Sequence, residues 1–203
     1  MRTLEAMIDL ASVLDLEGRH AEAARQFREV LAIERRINGP ENPTTLKVQT
    51  YLSAALGGAK QLPEAEKLAR ETLAIERRTL GDENLTTMDQ MYTLADILHQ
   101  LGHTTEAEGL LQETNVHQSH VYGADNPKTA RSIYKLGAWA ALHGDQEKAL
   151  AMLRQAVDSG LDITTILGME REGDLKSLRG DARFQSLIAD AKGRVGGVAP
   201  KPN

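Results

Sequence analysis

The tightest constraint on this chain is that it repeats itself with a period of 42 residues. Residues 28–46 and 70–88 agree at thirteen of nineteen positions, where composition alone would give about one. The same shift relates Leu10, Leu52, Leu94 and Leu136, and again Ala23, Ala65, Ala107 and Ala149. Ala11, Ser53, Ala95 and Gly137 are all small. Gly18, Gly102 and Gly144 match, with Lys60 as the exception. Gly39, Gly81 and Gly123 open three loops that end Asn42-Pro43, Asn84-Leu85 and Asn126-Pro127. A period of this length means that one supersecondary unit is stacked several times, each burying its apolar face against its neighbours.

The pattern inside each unit is helical. Leu4, Met7, Leu10, Ala11 and Leu14 form an i, i+3, i+4, i+7 stripe, the signature of an amphipathic helix. The spacing predicts first helices over 3–17, 45–59, 87–101 and 128–143, and second helices over 21–38, 63–80, 105–122 and 146–159. Gly18 falls where a C-terminal glycine ends a helix. Pro63 and Pro127 fall where a first helical turn tolerates proline. Aromatic residues make up only 3% of the chain, so the core must come from Ala, Leu and Ile, which suits close helix packing. The two small series, at Ala11 and at Ala23, mark where paired helices approach closely.

These residues carry a family resemblance. The segments Leu31-Ala-Ile-Glu-Arg-Arg36 and Gly39-Pro-Glu-Asn-Pro-Thr44 resemble the tetratricopeptide repeat (TPR) family. The period, longer than the usual length of about 34, is similar to the kinesin-light-chain-type branch in a bacterial-type array. The resemblance covers residues 4–159. It implies an all-α fold, a right-handed α-solenoid of four helix-turn-helix TPR units at about 1–43, 44–85, 86–127 and 128–159. The first helices would line a concave groove that takes a peptide or a partner helix.

Repetition stops near Gly160. Residues 160–195 are expected to form a C-terminal helical cap, because the end of a solenoid needs a polar outer face. Asp162, Asp174 and Asp181 are expected helix N-caps, and Phe184, Leu187, Ile188 and Ala191 an apolar helix face. Leu178 to Phe184 is similar to a segment that closes repeat arrays in bacterial multidomain signalling proteins, including serine/threonine kinases. Residues 196–203 read as a disordered tail.

Composition and motifs narrow the function. The net charge is −5 with acidic and basic residues interleaved, so the basic stripe of a nucleic-acid binder is missing. With no cysteine, neither a disulfide framework nor a thiolate zinc site is available. No apolar run approaches the ~20 residues of a membrane span, and a soluble, cytoplasmic chain is expected. Among the histidines, His99 and His103 should be separated by a helix end at Gly102, and His117 and His120 lack a third ligand, so no metal site is expected. Arg179-Gly180-Asp181 reads as a turn before the last helix. Glu34-Arg35-Arg36 and Glu76-Arg77-Arg78 read as solvated faces held by local ion pairs. No nucleophile or phosphate-loop motif appears, so the chain reads as a non-enzyme that needs no cofactor.

The family geometry points certain first-helix positions into the groove. They are Glu5, Ile8, Ser12 and Asp15, then Lys47, Thr50, Tyr51 and Ala54. The third unit offers Asp89, Tyr92, Asp96 and His99, and the fourth Arg131, Tyr134, Lys135 and Ala138. Tyr92 and Tyr134, one period apart, would form adjacent rungs, and tyrosine is a frequent hot-spot residue. Lys47, Arg131 and Lys135 would place a basic patch beside them. The asparagine that kinesin-type units carry beside the Leu10 series is replaced by Asp9, Tyr51, Thr93 and Lys135, so no particular ligand follows from the resemblance. Gly57-Gly58, inside a first helix, reads as a hinge or as drift that alanine would repair. The first helix has no preceding neighbour for its apolar stripe. Either the chain belongs to a longer array or this helix meets a partner, and self-assembly through it, giving a homo-oligomer, is the alternative to peptide binding.

Overall fold

The computed structural model describes residues 3–196, with side chains to residue 193. The described residues form helices and no strands: α1 Leu4–Leu16, α2 His20–Asn38, α3 Pro43–Gly58, α4 Leu62–Thr79, α5 Leu85–Gln100, α6 Thr104–Tyr122, α7 Pro127–Leu142, α8 Gln146–Asp158, α9 Ile163–Gly168, a 3-10 turn Gly173–Leu178 and α10 Ala182–Gly196. The expected helices therefore all form, with ends displaced by a residue or two. The expected tail lies, from residue 197 onward, outside the described residues.

The repeated loop residues have a mechanical cause. Asn42, Asn84 and Asn126 each accept a hydrogen bond from the backbone N–H two residues on, at 2.9 Å, which satisfies one orphan donor of the following helix. α3 consequently begins at Pro43, two residues before its expected start, because Asn42 is the cap and proline fits the first turn. Between paired helices the chain turns through the left-handed region: Gly18, Gly102 and Gly144 have φ of 77°, 84° and 85°, and Lys60 holds the same place at 61°. Lys60 is thus a side chain where the turn favours glycine.

The chain divides into two compact units, Met1–Thr114 and Asn115–Asn203, with the boundary inside α6. In the first, α3 is sandwiched between α2 and α4, and α5 packs on both α3 and α4. Ala11, Ala23, Ala65, Ala69, Ala95 and Ala107 are fully buried, as the small series requires. Leu46, Val48, Leu56, Met88, Met91 and Leu98 fill the space between helices. Ion pairs tie successive second helices together on the outside: Arg28 to Glu64 at 2.8 Å, Arg70 to Glu106 at 2.6 Å and Arg77 to Glu113 at 2.7 Å. The local pairing expected for Arg77 is in part replaced by this reach to the next helix, because neighbouring second helices lie side by side.

The glycine pair corrects the sequence reading. A Cβ at Gly57 would lie 3.1 Å from Ile97 Cγ1, and one at Gly58 only 2.5 Å from the His20 ring. The His20 ring leaves no room for a methyl at Gly58, so alanine there would not repair a defect, and at Gly57 the Ile97 side chain would have to give by a few tenths of an ångström.

In the second unit, α7 and α8 pack on each other and the C-terminal elements complete their core. Leu153, Met169, Leu175, Leu178 and Phe184 are among its buried members. Gly137 allows the close approach, since a Cβ there would lie 3.1 Å from Met152 Cβ and 3.3 Å from the Ala149 carbonyl oxygen. Phe184, Leu187, Ile188 and Ala191 are buried on α10 as its apolar face. Asp162 caps α9, accepting from the Thr165 N–H at 2.9 Å. Asp181 precedes α10 and accepts from the Arg183 N–H at 2.8 Å. Asp174 is not a cap: it lies inside the 3-10 turn, which follows Glu172.

Candidate functional site

The positions expected to meet a partner lie on the first helices, and α3 shows how they are held. Residues 47, 50, 51 and 54 fall on one face by helical spacing. Lys47 is exposed, and Tyr51 and Ala54 are half-buried. The Tyr51 ring sits 5.6 Å from the Phe27 ring at a tilt of 41°, within the centroid range in which aromatic pairs attract. The Lys47 ammonium stands 5.6 Å from the centre of the same ring, a cation–π distance. Phe27, itself fully buried, thus fixes Tyr51, and Tyr51 carries Lys47.

Thr50 behaves differently. It is buried, and its hydroxyl lies 3.1 Å from Glu76 Oε1 and 3.2 Å from the Leu46 carbonyl oxygen. It faces α4 rather than solvent.

Glu76 was expected on a solvated face but is fully buried, and its Oε2 has no hydrogen-bond partner. Burial pushes its carboxyl up to about 8, the Asp89 carboxylate adds to the rise, and the Thr50 hydroxyl opposes it. At neutral pH the acid is therefore mostly protonated. A neutral carboxyl can donate to Thr50 Oγ1 while Thr50 donates to Leu46, so the same two contacts serve without a buried charge. Glu34 is the counterpart one period earlier, also buried, accepting from Asn38 Nδ2 at 2.7 Å. Gln118 is the counterpart one period later, accepting from Ser132 Oγ at 2.7 Å. The sequence does hold a signal for this series: Phe27, Leu31 and Glu34 continue one helical stripe, as Ala69, Leu73 and Glu76 do.

On α5, Asp89, Tyr92 and Asp96 are half-buried. Asp96 accepts from Gln100 Nε2 at 2.9 Å, and Gln100 Oε1 accepts from Lys60 Nζ at 2.7 Å. On α1, Glu5 and Asp9 are exposed and Ile8 and Ser12 half-buried. The first unit therefore brings Lys47, Tyr51, Tyr92, Asp89 and Asp96 onto its packed first helices, with acidic side chains on α1 and α5 to either side of one lysine. Arg131, Tyr134 and Lys135 are on α7 in the second unit, where Arg131 is exposed, Lys135 half-buried, and Tyr134 packs against the core. Lys47 and Tyr92 belong to the first unit, and Arg131, Tyr134 and Lys135 to the second.

His20 Nδ1 lies 2.7 Å from Asp15 Oδ1 while its ring packs on Gly58, and His103 lies 4.0 Å from Glu66. Among the described residues no group of three or more His, Asp and Glu side chains could hold a metal ion. None of their helices is long and apolar enough to cross a membrane. Asp181, of the Arg-Gly-Asp tripeptide, is engaged by Arg183, and Arg179 donates to the Glu172 carbonyl oxygen at 3.1 Å.

The family model described as tetratricopeptide repeat matches residues 2–78, 44–115 and 91–159. No curated protein matches the chain. Among solved structures, two crystal structures of the nearly identical TPR-like repeats of a Podosopora anserina protein described as kinesin-light-chain-like, one of them a point variant, are similar. One has 22% identity and a TM-score of 0.73, covering 94% of this chain and 93% of that one. The other has 20% identity and a TM-score of 0.72, covering 95% and 96%. BtubC (BKLC) from P. vanneervenii is similar at 20% identity and a TM-score of 0.73, covering 98% of this chain and 83% of that one. At such identities the likeness speaks for the fold alone.

Proposed function

Since the chain belongs to the tetratricopeptide repeat family, we propose that it is a non-catalytic protein-interaction module whose first helices receive a peptide or helix of another protein. The observation that carries this reading is the α3 face, where Phe27 holds Tyr51 and Tyr51 holds Lys47 at a part-exposed surface. A rigid aromatic anchor with a charged group above it loses little conformational entropy on binding, as hot-spot residues do. Tyr92, Asp89 and Asp96 extend the same face along α5, and Thr50 braces it from below through Glu76. Arg131, Tyr134 and Lys135 are the corresponding candidate positions on α7.

Affinity capture from lysate, with captured proteins identified by mass spectrometry, tests the reading. The chain and a Tyr92→Ala plus Tyr134→Ala variant, shown by circular dichroism to remain folded at the assay temperature, are compared. A specific partner should be recovered with the chain and reduced at least tenfold with the variant. Equal recovery of that partner by both would remove the tyrosines from the binding face.

A further inference from the structure

In an assignment that rests on the first helices receiving a partner, we propose that Lys60 is a positioning residue for that face. Through Gln100 it fixes the Asp96 carboxylate on α5, and the fixed carboxylate selects a lysine or arginine of the partner. Lys60 is a backbone outlier, and a strained residue held by its surroundings is a pointer to function. Its φ of 61° is the only positive one of a non-glycine residue among the described residues, at a place where Gly18, Gly102 and Gly144 make the corresponding turns. A lysine is strained there and a glycine is not. Its exposed side chain reaches the next unit. Lys60 Nζ donates to Gln100 Oε1 at 2.7 Å, and Gln100 Nε2 donates to Asp96 Oδ2 at 2.9 Å.

The internal repeat shows that these three residues depart from the pattern together. The place of Gln100 is held by Leu16, Gly58 and Leu142 in the other units, and that of Asp96 by Ser12, Ala54 and Ala138. In no other unit does the turn carry a cation, the helix end an amide, or this first-helix position a charge. The three departures meet as one relay of two hydrogen bonds. The direction of the relay follows from its first member. An ammonium only donates, so it takes the Gln100 carbonyl oxygen and turns the amide N–H toward Asp96. Asp96 and Gln100, four residues apart on one helix, are neighbours on its surface. A carboxylate has about four acceptor sites, so the bond from Gln100 leaves it able to accept from a partner. Held in one orientation, it loses less entropy in doing so. Charge-assisted bonds from lysine or arginine are the strongest it can accept.

NMR titration of the full chain, followed at the Asp96 side-chain carboxyl carbon, tests this. The probes are acetyl-Gly-Arg-Gly amide and the same peptide with neutral citrulline in place of arginine. The arginine peptide should shift the Asp96 resonance saturably and bind at least threefold more tightly than the citrulline peptide. Gln100→Leu, which installs the residue of the α1 and α7 counterparts, should weaken the arginine peptide at least threefold. Lys60→Gly should do the same while raising the melting temperature. Loss of a nearby cation would by charge alone tighten a cationic peptide, so weaker binding by a more stable chain is the signature of positioning. Lys60→Arg, which keeps a donor, should retain the parent affinity. No saturable shift at Asp96, equal binding of the two peptides, or unchanged or tighter binding by Lys60→Gly and Gln100→Leu overturns the proposal. Shifts at Lys47 and Tyr51 with Asp96 indifferent would overturn the relay and leave the first-helix reading standing. Shifts confined to the second helices would remove that reading and the relay with it.

Discussion

Single side chains in this protein are explained by what the neighbouring repeat presses against them. Glu76 is the clearest case. Its folded-state carboxyl titrates near 8 and its ordinary value is 4.5, so the folded chain binds the extra proton between those values. Stability from this group is fully present below about 4.5 and is lost as pH rises through about 8. Glu76→Gln, which imitates Gln118, removes that loss. Unfolding free energies from denaturant melts at pH 5 and pH 9 should show the parent chain falling on the order of a few kcal/mol further than the variant across that interval. Parallel pH profiles would mean that Glu76 is not held neutral. Gly58 makes the same point sterically: Gly58→Ala drives a methyl into the His20 ring and away from the Asp15 contact. It should destabilise by roughly 1–3 kcal/mol, as overpacking does, where an open helical site would gain about 1 kcal/mol from the same change. Denaturant melts decide the sign.

At the scale of helices, the repeat made much of the structure readable in advance. A 42-residue shift locates helix pairs, loop asparagines and small packing positions without coordinates, because each recurs for a local reason. Asn42 must cap, Gly18 must turn, and Ala23 must let α1 and α2 approach. What stayed hidden depends on which side chains from separate units meet. Glu76 read as surface because Arg77 and Arg78 follow it, although its place on the stripe with Ala69 and Leu73 predicts burial. Arg70 and Arg77 reach Glu106 and Glu113, 36 residues away, a separation set by the packing of second helices and by no local rule. Gly57 and Gly58 read as weak points for the same reason, since Ile97 and His20 lie far away in sequence. Ala65→Leu and Ala59→Leu test the assigned faces directly. Ala65 is fully buried between helices, and Ala59 is half-buried at the end of α3. The first substitution should lower the melting temperature clearly more than the second; equal effects would contradict the packing.

For the molecule as a whole, the proposed division of labour is that first helices would receive a partner and second helices support them. The first unit joins a Tyr51–Lys47 anchor to carboxylates on α1 and α5, over an acid kept neutral by burial. The groove positions came from family geometry, and their chemistry from this chain: Thr50 turned inward, Tyr51 seated on Phe27, and the basic residues divided between the two units. Carboxyl footprinting of the chain with and without a captured partner is the most direct test. The account predicts that labelling of Glu5, Asp89 and Asp96 falls on binding while Glu29 and Glu71, exposed on the second helices, label as before. Protection of Glu29 and Glu71 with the first-helix carboxylates unchanged would place the partner on the outer face and contradict it.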